Sequence, residues 1–213
     1  MTCAYDKLYV WDAQCALAAM LDYAVYCLHY ELKFFYQMFL QSSYARRFAE
    51  GDVAVVSGRS GVELARDIVE ENTKKPCRIG AEYAANRSPE YWTGWALAYY
   101  QWYSGSDFVT IEREIPIDDI CALYHPFHEM DIMLFVDKMN EWRMAYRCMT
   151  YLKKFRVAAG LSQRELAETT DIPIKTIQQY EQRQKNINKA QAEYIIRLSR
   201  TLNCEPEELL ELE

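Results

Sequence analysis

Glycine and proline are both scarce in this sequence. The 213 residues include seven glycines and six prolines, and these are the two residue types that tight turns use most. A turn-rich β protein is therefore disfavoured and a helical protein is favoured. Hydrophobic residues make up 51% of the chain, which is enough to bury a core and argues against disorder.

Other features are missing altogether. No run of about 18 apolar residues is present, so we expect no membrane span and no membrane partner. The first residues lack a basic segment followed by an apolar run, so we expect no secretion signal. The seven cysteines are odd in number, and no two have the spacing of a zinc knuckle. We therefore expect free, mostly buried thiols in a reducing compartment, and a cytoplasmic protein.

The charge is distributed unevenly along the chain. Residues 1–149 contain 14 Lys and Arg against 21 Asp and Glu, whereas residues 150–203 contain ten basic and five acidic residues. Residues 204–213 add five Glu. A basic segment inside an acidic chain predicts that one region meets a polyanion and the rest does not.

Helix signals recur along the first 149 residues. Apolar spacings of three and four predict helix over 12–49, with a break near Tyr30–Glu31 because one helix of that length would be unusually long. Ser60 and Glu63 form a capping box that predicts a helix to about Glu71, after a loop or short extended piece at 51–59. Ser88, which is followed by Pro89 and Glu90, predicts another helix start.

The fold class predicted for the whole chain is all-α. Two more helices are predicted in 116–125 and 128–148, and 108–115 is predicted to be a loop because a single strand there would have no partner. The charge change near residue 149 divides the chain into a helical domain of residues 1–149 and a second domain of residues 150–213.

The segment "GLSQRELAETTDIPIKTIQQYE", residues 160–181, predicts two helices joined by a tight turn. Ser162 and Glu165 form a capping box, and the small Ala167 suits a close helix contact. Ile177 and Tyr180, three residues apart, pack one face of the second helix inward. Its outer face then carries side chains that reach base edges, and Gln can pair with adenine: Lys175, Thr176, Gln178 and Gln179.

Residues 152–211 resemble the Xre/Cro-like helix-turn-helix family. The matching positions include Leu161, Ser162, Gln163, Leu166, Ala167, Ile172, Thr176, Ile177, Tyr180 and Glu181. The resemblance implies a five-helix domain whose third helix enters the major groove of operator DNA, and we expect a homodimer. It also implies that Gln163 and Lys175 contact phosphates or base edges, and that the DNA backbone is held by Arg183, Lys185 and Asn186.

Three positions depart from the family pattern. Thr170 stands where Leu is usual, Asp171 where Gly is usual, and Pro173 where a capping Ser is common. Because Asp tolerates the left-handed conformation, we expect the turn to survive. The alternative is a degenerate unit that serves only packing or dimerisation.

The segment "HPFHEMD" is the main candidate for a metal site. His125, His128, Glu129 and Asp131 are metal ligands in kind, but their spacing does not place three ligands on one helical face. The alternative is a helix start with favourable acidic groups. A nucleophilic Cys121 near His125 is disfavoured because Cys is more often an inert core residue. We expect no metal, no cofactor and no enzymatic activity.

Aromatic residues are dense between 91 and 103. They are typical of a core at helical spacing, but Tyr and Trp are also enriched in interfaces. The candidate partner-binding residues share one face: Trp92, Trp95, Tyr99 and Trp102. Arg59 and Arg87 are either anion contacts or ordinary surface residues.

A DNA-binding domain attached to an acidic, aromatic-rich domain predicts a transcriptional regulator. The first hypothesis is an antitoxin that binds its toxin through residues 1–149 and represses its own operon. The second is a ligand-responsive repressor. The third is an enzyme with a metal site near His125 and His128. This step is an analogy from domain arrangement.

Overall fold

The computed structural model describes residues 3–81 and 87–211. Across these residues every regular element is a helix and no strand occurs, which confirms the predicted all-α fold class. The chain divides into two compact units, residues 1–143 (unit 1) and residues 144–213 (unit 2). The boundary predicted from charge lies a few residues further along the chain.

The first ten helices begin in unit 1. A short 3-10 helix, Lys7–Tyr9, leads directly into the first of them. Their bounds are α1 Val10–Tyr26, α2 Leu32–Gln41, α3 Ser43–Ala49, α4 Val53–Val56, α5 Gly61–Thr73, α6 Pro89–Ser104, α7 Phe108–Glu114, α8 Ile117–Ala122, α9 Tyr124–Phe127 and α10 Ile132–Arg147.

Helix α1 lies at the centre of unit 1, between α5 and α6. Small residues allow this close approach: a Cβ on Gly94 would lie 2.6 Å from the carbonyl oxygen of Leu17, and one on Gly61 would also meet the α1 backbone. Large side chains fill the rest of the core. Fully buried aromatics include Tyr23, Phe35, Tyr36, Phe39, Phe48, Tyr100, Phe108 and Phe135.

The predicted helix starts at Ser60 and Ser88 are confirmed, as is the break near Tyr30. A second break, at Ser42, was not predicted; its hydroxyl caps α3. The prediction of a loop at 108–115 is wrong. Residues 108–114 form α7, because Asp107 caps the helix start and Phe108 and Ile111 are buried against the core. Residues 53–56, predicted as a loop or short extended piece, form a helical turn.

Unit 2 contains four α-helices that begin within it: α11 Tyr151–Ala158, α12 Gln163–Thr170, α13 Ile174–Glu181 and α14 Ala192–Leu202. The predicted fifth helix is a 3-10 helix, Pro206–Leu209, and another 3-10 turn spans Ile187–Lys189. The core is small and aliphatic apart from one tyrosine. Its buried members are Leu152, Leu166, Ile172, Ile177, Tyr180, Ile187, Leu198, Leu202 and Leu209.

Candidate nucleic-acid interface

Local interactions fix both ends of α12, the helix before the tight turn. The Ser162 amide donates to Glu165 Oε2 at 2.7 Å, and the Glu165 amide donates to Ser162 Oγ at 3.1 Å, which confirms the capping box. Helix α12 ends at Asp171, whose φ of 53° is left-handed. The turn therefore survives the replacement of Gly by Asp, as predicted.

The orientation of α13 is fixed by its buried side. Ile177 and Tyr180 are 0% and 3% exposed, and Ile172 in the turn is 2% exposed. Pro173 occupies the N-cap and provides no side-chain cap, so the hydroxyl common at this position is absent. The packing leaves the opposite side of α13 at the surface, as the sequence predicted.

A buried ion pair lies directly beneath this surface. Arg156 Nε donates to Glu181 Oε1 at 2.6 Å and Nη2 donates to Oε2 at 3.0 Å. Gln163 Nε2 also donates to Glu181 Oε2, at 2.7 Å, and Gln178 Nε2 donates to Gln163 Oε1 at 3.4 Å. Two predicted DNA contacts, Gln163 and Gln178, are thus held by a hydrogen-bonded chain that ends at the ion pair.

Sequence reasoning missed the Arg156–Glu181 pair. The two residues are 25 positions apart, and only their placement on core-facing helix positions could have indicated it. The pair matters for the interface because Gln163 takes its position from Glu181.

The other predicted contacts on α13 lie together at the surface. Lys175 is exposed, and Thr176, Gln178 and Gln179 are half-buried. Among the residues that the structure describes, Lys175 has no carboxylate partner. Its ammonium group is therefore not neutralised within the unit.

The loop after α13 holds the remaining predicted contacts. Arg183, at a left-handed φ of 55°, donates to the Cys148 carbonyl at 2.8 Å and to Glu211 Oε2 at 3.1 Å. Asn186 Oδ1 accepts from the Asn188 amide at 2.8 Å. Lys185 Nζ lies 5.5 Å from the centre of the Tyr180 ring. Arg183 and Asn186 thus have structural partners, and their contact with DNA stays a prediction.

Several cations of unit 2 are exposed or half-exposed, and they differ in whether a carboxylate pairs with them. Arg164, Arg183 and Arg197 pair with carboxylates. Within the described part of the chain, four others have no ion pair: Lys175, Lys185, Lys189 and Arg200. Neutralisation of phosphates dominates the affinity of proteins for DNA. An unpaired cation can contribute to it without first breaking an ion pair within the protein.

Of the four predicted partner-binding aromatics of unit 1, Trp102 is buried and the other three are half-buried. Trp102 is 8% exposed, and its Nε1 donates to the Tyr5 carbonyl at 2.8 Å. Trp92 packs edge-on against Phe135 at 5.4 Å, while Trp95 and Tyr99 are half-buried against the same core. Trp102 offers almost no surface to a partner. Binding through Trp92, Trp95 and Tyr99 stays a prediction.

In the "HPFHEMD" segment, His128 interacts with the neighbouring residue Tyr124. His128 Nδ1 lies 2.9 Å from the Tyr124 carbonyl oxygen, and the two rings stack at 4.2 Å. Among the described residues, no three His, Cys, Asp or Glu side chains cluster as metal ligands would. Burial raises the pKa of the Cys121 thiol, which disfavours a reactive thiolate.

The cysteines are less buried than predicted. All seven are thiols and not disulfides; Cys3 and Cys148 are exposed and the other five are half-exposed. The prediction of mostly buried thiols is therefore wrong, because several of these positions lie at helix ends and not on core-facing stripes.

A cavity of about 710 Å³ lies in unit 1 between α1, the α4–α5 turn and the start of α6. Four charged side chains line it: Asp12, Asp22, Arg59 and Arg87. Sequence reasoning considered both arginines as anion contacts but did not bring them together, because the four residues come from three separate segments. No local spacing signals such a site.

Residues 152–209 match the family described as helix-turn-helix. Neither the curated proteins nor the solved structures gave a match to this chain. Within the described residues, no helix is long and apolar enough to cross a membrane.

The capping box at Ser162 and the left-handed turn at Asp171 both lie within the 58 residues that match the family. Residues 152–209 are an Xre/Cro-like helix-turn-helix domain, and the chain carries the DNA-binding domain of a transcriptional regulator.

Proposed function

We propose that this protein is the antitoxin and autorepressor of a toxin-antitoxin operon, with unit 2 binding the operator as a homodimer and unit 1 binding the toxin. The observation that carries the proposal is the opposite chemistry of the two units. Unit 2 presents unpaired cations around α13. Unit 1 contains 13 Lys and Arg against 21 Asp and Glu, which suits a basic protein partner.

The DNA half of the proposal is tested with the region upstream of the gene. Fluorescence anisotropy on a labelled duplex should show affinity falling steeply between about 50 and 200 mM salt, because released counterions drive binding. Footprinting should show two inverted half-sites about one or more helical turns apart, as a two-fold dimer requires. A salt-independent affinity, or a single unrepeated site, contradicts it.

The partner half is supported by an exposed apolar pair at the start of α1. Leu8 in the preceding 3-10 helix and Trp11 in the first turn of α1 are 82% and 64% exposed, and they are three residues apart in the sequence. Asp6 and Asp12 flank them in the sequence. Trp anchors surrounded by polar groups are typical of interface hot spots.

The partner test uses the full chain, tagged and expressed with its neighbouring genes. We expect a small basic protein to co-purify in a fixed ratio, to be toxic alone, and to be lost with Trp11→Ala. Phe34→Ala is the matched control, because Phe34 is 58% exposed elsewhere on unit 1. If the native chain and Trp11→Ala capture the toxin equally, the toxin binds another surface of unit 1. The absence of any such protein would remove the antitoxin function.

A second candidate function is a ligand-responsive repressor. The observation that favours it is the charged cavity of unit 1, whose volume lies in the range of small-molecule sites, about 300–1,000 Å³. In this case the regulatory signal is a small molecule. The test is whether a ligand of the cavity changes the affinity for operator DNA.

A further inference from the structure

The floor of the unit 1 cavity is one side of α1. Asp12 and Asp22 stand near its two ends, and the small residues Cys15, Ala16 and Ala19 lie between them. Ten residues of helix span about 15 Å. The small side chains keep the middle of this floor open, so a short extended molecule fits between the two carboxylates.

The two carboxylates lack cationic partners within the described residues. Asp12 accepts a hydrogen bond from the Ser57 hydroxyl, and Asp22 accepts one from the Ser88 hydroxyl. Among the described residues, neither aspartate takes part in an ion pair. Each therefore has further lone pairs for a bound ammonium group.

Arg87 also lines the cavity, and it lacks a carboxylate partner among the described residues. Its guanidinium carbon is 3.9 Å from the centre of the Tyr91 ring. The stacked ring limits the orientations of the guanidinium but does not neutralise it. Arg59 differs, because its guanidinium is paired with Asp67.

We propose that this cavity binds a small diamino acid, with its carboxylate on Arg87 and its two ammonium groups on Asp12 and Asp22. One unpaired cation and two unpaired anions around one cavity match the charges of such a zwitterion in number and sign. A bidentate guanidinium–carboxylate contact would provide orientation. Two hydrogen bonds of about 2.8 Å at the ends leave roughly 9 Å of the span for the ligand, close to the length of a lysine-type chain.

The test titrates the full chain by calorimetry with three probes of matched chain length. L-lysine carries both ammonium groups and the carboxylate, 1,5-diaminopentane lacks the carboxylate, and 6-aminohexanoate lacks the α-ammonium group. We expect L-lysine to bind at least about tenfold (about 1.4 kcal/mol) more tightly than either of the others, because each of the others lacks one of the charged groups. Equal or tighter binding of 1,5-diaminopentane overturns the role of Arg87. Equal binding of 6-aminohexanoate overturns the need for two carboxylates.

Two variants locate the site. Arg87→Gln should weaken L-lysine about tenfold and leave 1,5-diaminopentane unchanged, whereas Asp22→Asn should weaken both. Arg78→Gln is the control, because Arg78 is exposed and does not line this cavity. Identical affinities in all three variants, or no binding of L-lysine or L-ornithine at about 10 mM, overturn the proposal.

Only the effect on transcription rests on the ligand-responsive function proposed above. Operator affinity is therefore measured with and without saturating L-lysine. Binding without a change in operator affinity leaves the cavity proposal intact and removes the ligand-responsive function. No binding removes the cavity proposal, while operator recognition by unit 2 stands on its own measurement.

Discussion

Within the described residues, each unit buries an Arg–Glu ion pair, but the surroundings of the two pairs differ. In unit 1 the Arg143 and Glu114 side chains are 8% and 6% exposed, and Arg143 also donates to the Tyr100 hydroxyl at 3.3 Å. In unit 2 the Arg156 and Glu181 side chains are 11% and 2% exposed. Unit 1 adds a large aromatic core, whereas unit 2 has nine buried apolar residues.

The difference shows what a buried charge pair contributes in a small domain. Folding stability is the small difference between large opposing terms, and it is smaller in small domains. Removing one partner of such a pair leaves an uncompensated buried charge and costs about 3–5 kcal/mol. That cost is a larger fraction of the stability of unit 2, where Glu181 also holds Gln163, a predicted DNA contact.

The largest effect is therefore expected from Glu181→Ala. We expect unit 2 to lose about 3–5 kcal/mol and operator binding to be lost with it. All five tryptophans lie in unit 1, at 11, 92, 95, 102 and 142. Thermal unfolding followed by tryptophan fluorescence should therefore stay unchanged, while part of the far-UV circular dichroism transition moves to lower temperature.

Glu114→Ala is the corresponding experiment on the buried ion pair of unit 1. It should lower the tryptophan-detected transition and leave operator binding at moderate temperature intact. A tryptophan transition that also moves in Glu181→Ala would show that the two units unfold together, and the comparison between them would then fail.

The next largest effect concerns Lys175. Lys175→Ala should weaken operator binding roughly tenfold and lower the salt dependence by about one counterion, because one phosphate contact is lost. Anisotropy titrations at several salt concentrations measure both quantities. Lys75→Ala is the control, since Lys75 is equally exposed but lies in unit 1. An unchanged salt slope in Lys175→Ala would place this lysine away from the DNA.

A smaller effect is expected from Glu112, an acidic residue of unit 1 without a cation in direct contact among the described residues. Burial raises its pKa to about 7, although the Ile117 amide donates to it at 2.8 Å and opposes the shift. The folded state thus binds the proton more tightly than the unfolded chain does. The free energy of unfolding should fall as the pH rises from about 4.5 to about 7, and level off above that range.

Glu112→Gln removes this titration. Relative to the native chain, its tryptophan-detected melting temperature should rise with pH between 5 and 8, by on the order of a few degrees. Glu141→Gln, at an exposed position, should show no such trend. A difference between Glu112→Gln and the native chain that is constant across this range would show that Glu112 does not titrate there.

Features that depend on a few neighbouring residues could be predicted from the sequence. The hydroxyls of Ser60, Ser88 and Ser162 each cap a helix within three residues, so local spacing was sufficient. Asp171 could be predicted for the same reason, because the left-handed conformation is a local property. Helix α7 could not, since "FVTIERE" is rich in β-branched residues and tertiary packing decided its conformation.

Features that join distant segments could not be predicted. Arg59 and Arg87 were recognised separately, but the cavity that contains them depends on how α1, α5 and α6 pack. The face of Trp92, Trp95, Tyr99 and Trp102 was identified correctly as one side of a helix. Its burial could not be judged from one helix, because Tyr5 and Phe135, which cover part of it, come from elsewhere in the chain.

The smallest effect is expected at Asp171, and it separates backbone strain from side-chain contacts. Glycine adopts a φ of 53° without the steric cost that Asp bears, although it also gains entropy in the unfolded chain. The Asp171 carboxylate is 95% exposed, so its 3.3 Å ion pair with Arg197 contributes little. Arg197 still donates to the Thr170 and Asp171 carbonyls.

Asp171→Gly should therefore change the stability of unit 2 by less than about 1 kcal/mol, in the stabilising direction, and leave operator affinity unchanged. Asp171→Ala removes the same carboxylate without relieving the backbone, so it should destabilise unit 2 by about 1 kcal/mol. Far-UV circular dichroism melting curves of the two variants measure the contrast. Equal melting temperatures of the two variants would show that a Cβ carries no steric cost in the left-handed conformation at this turn.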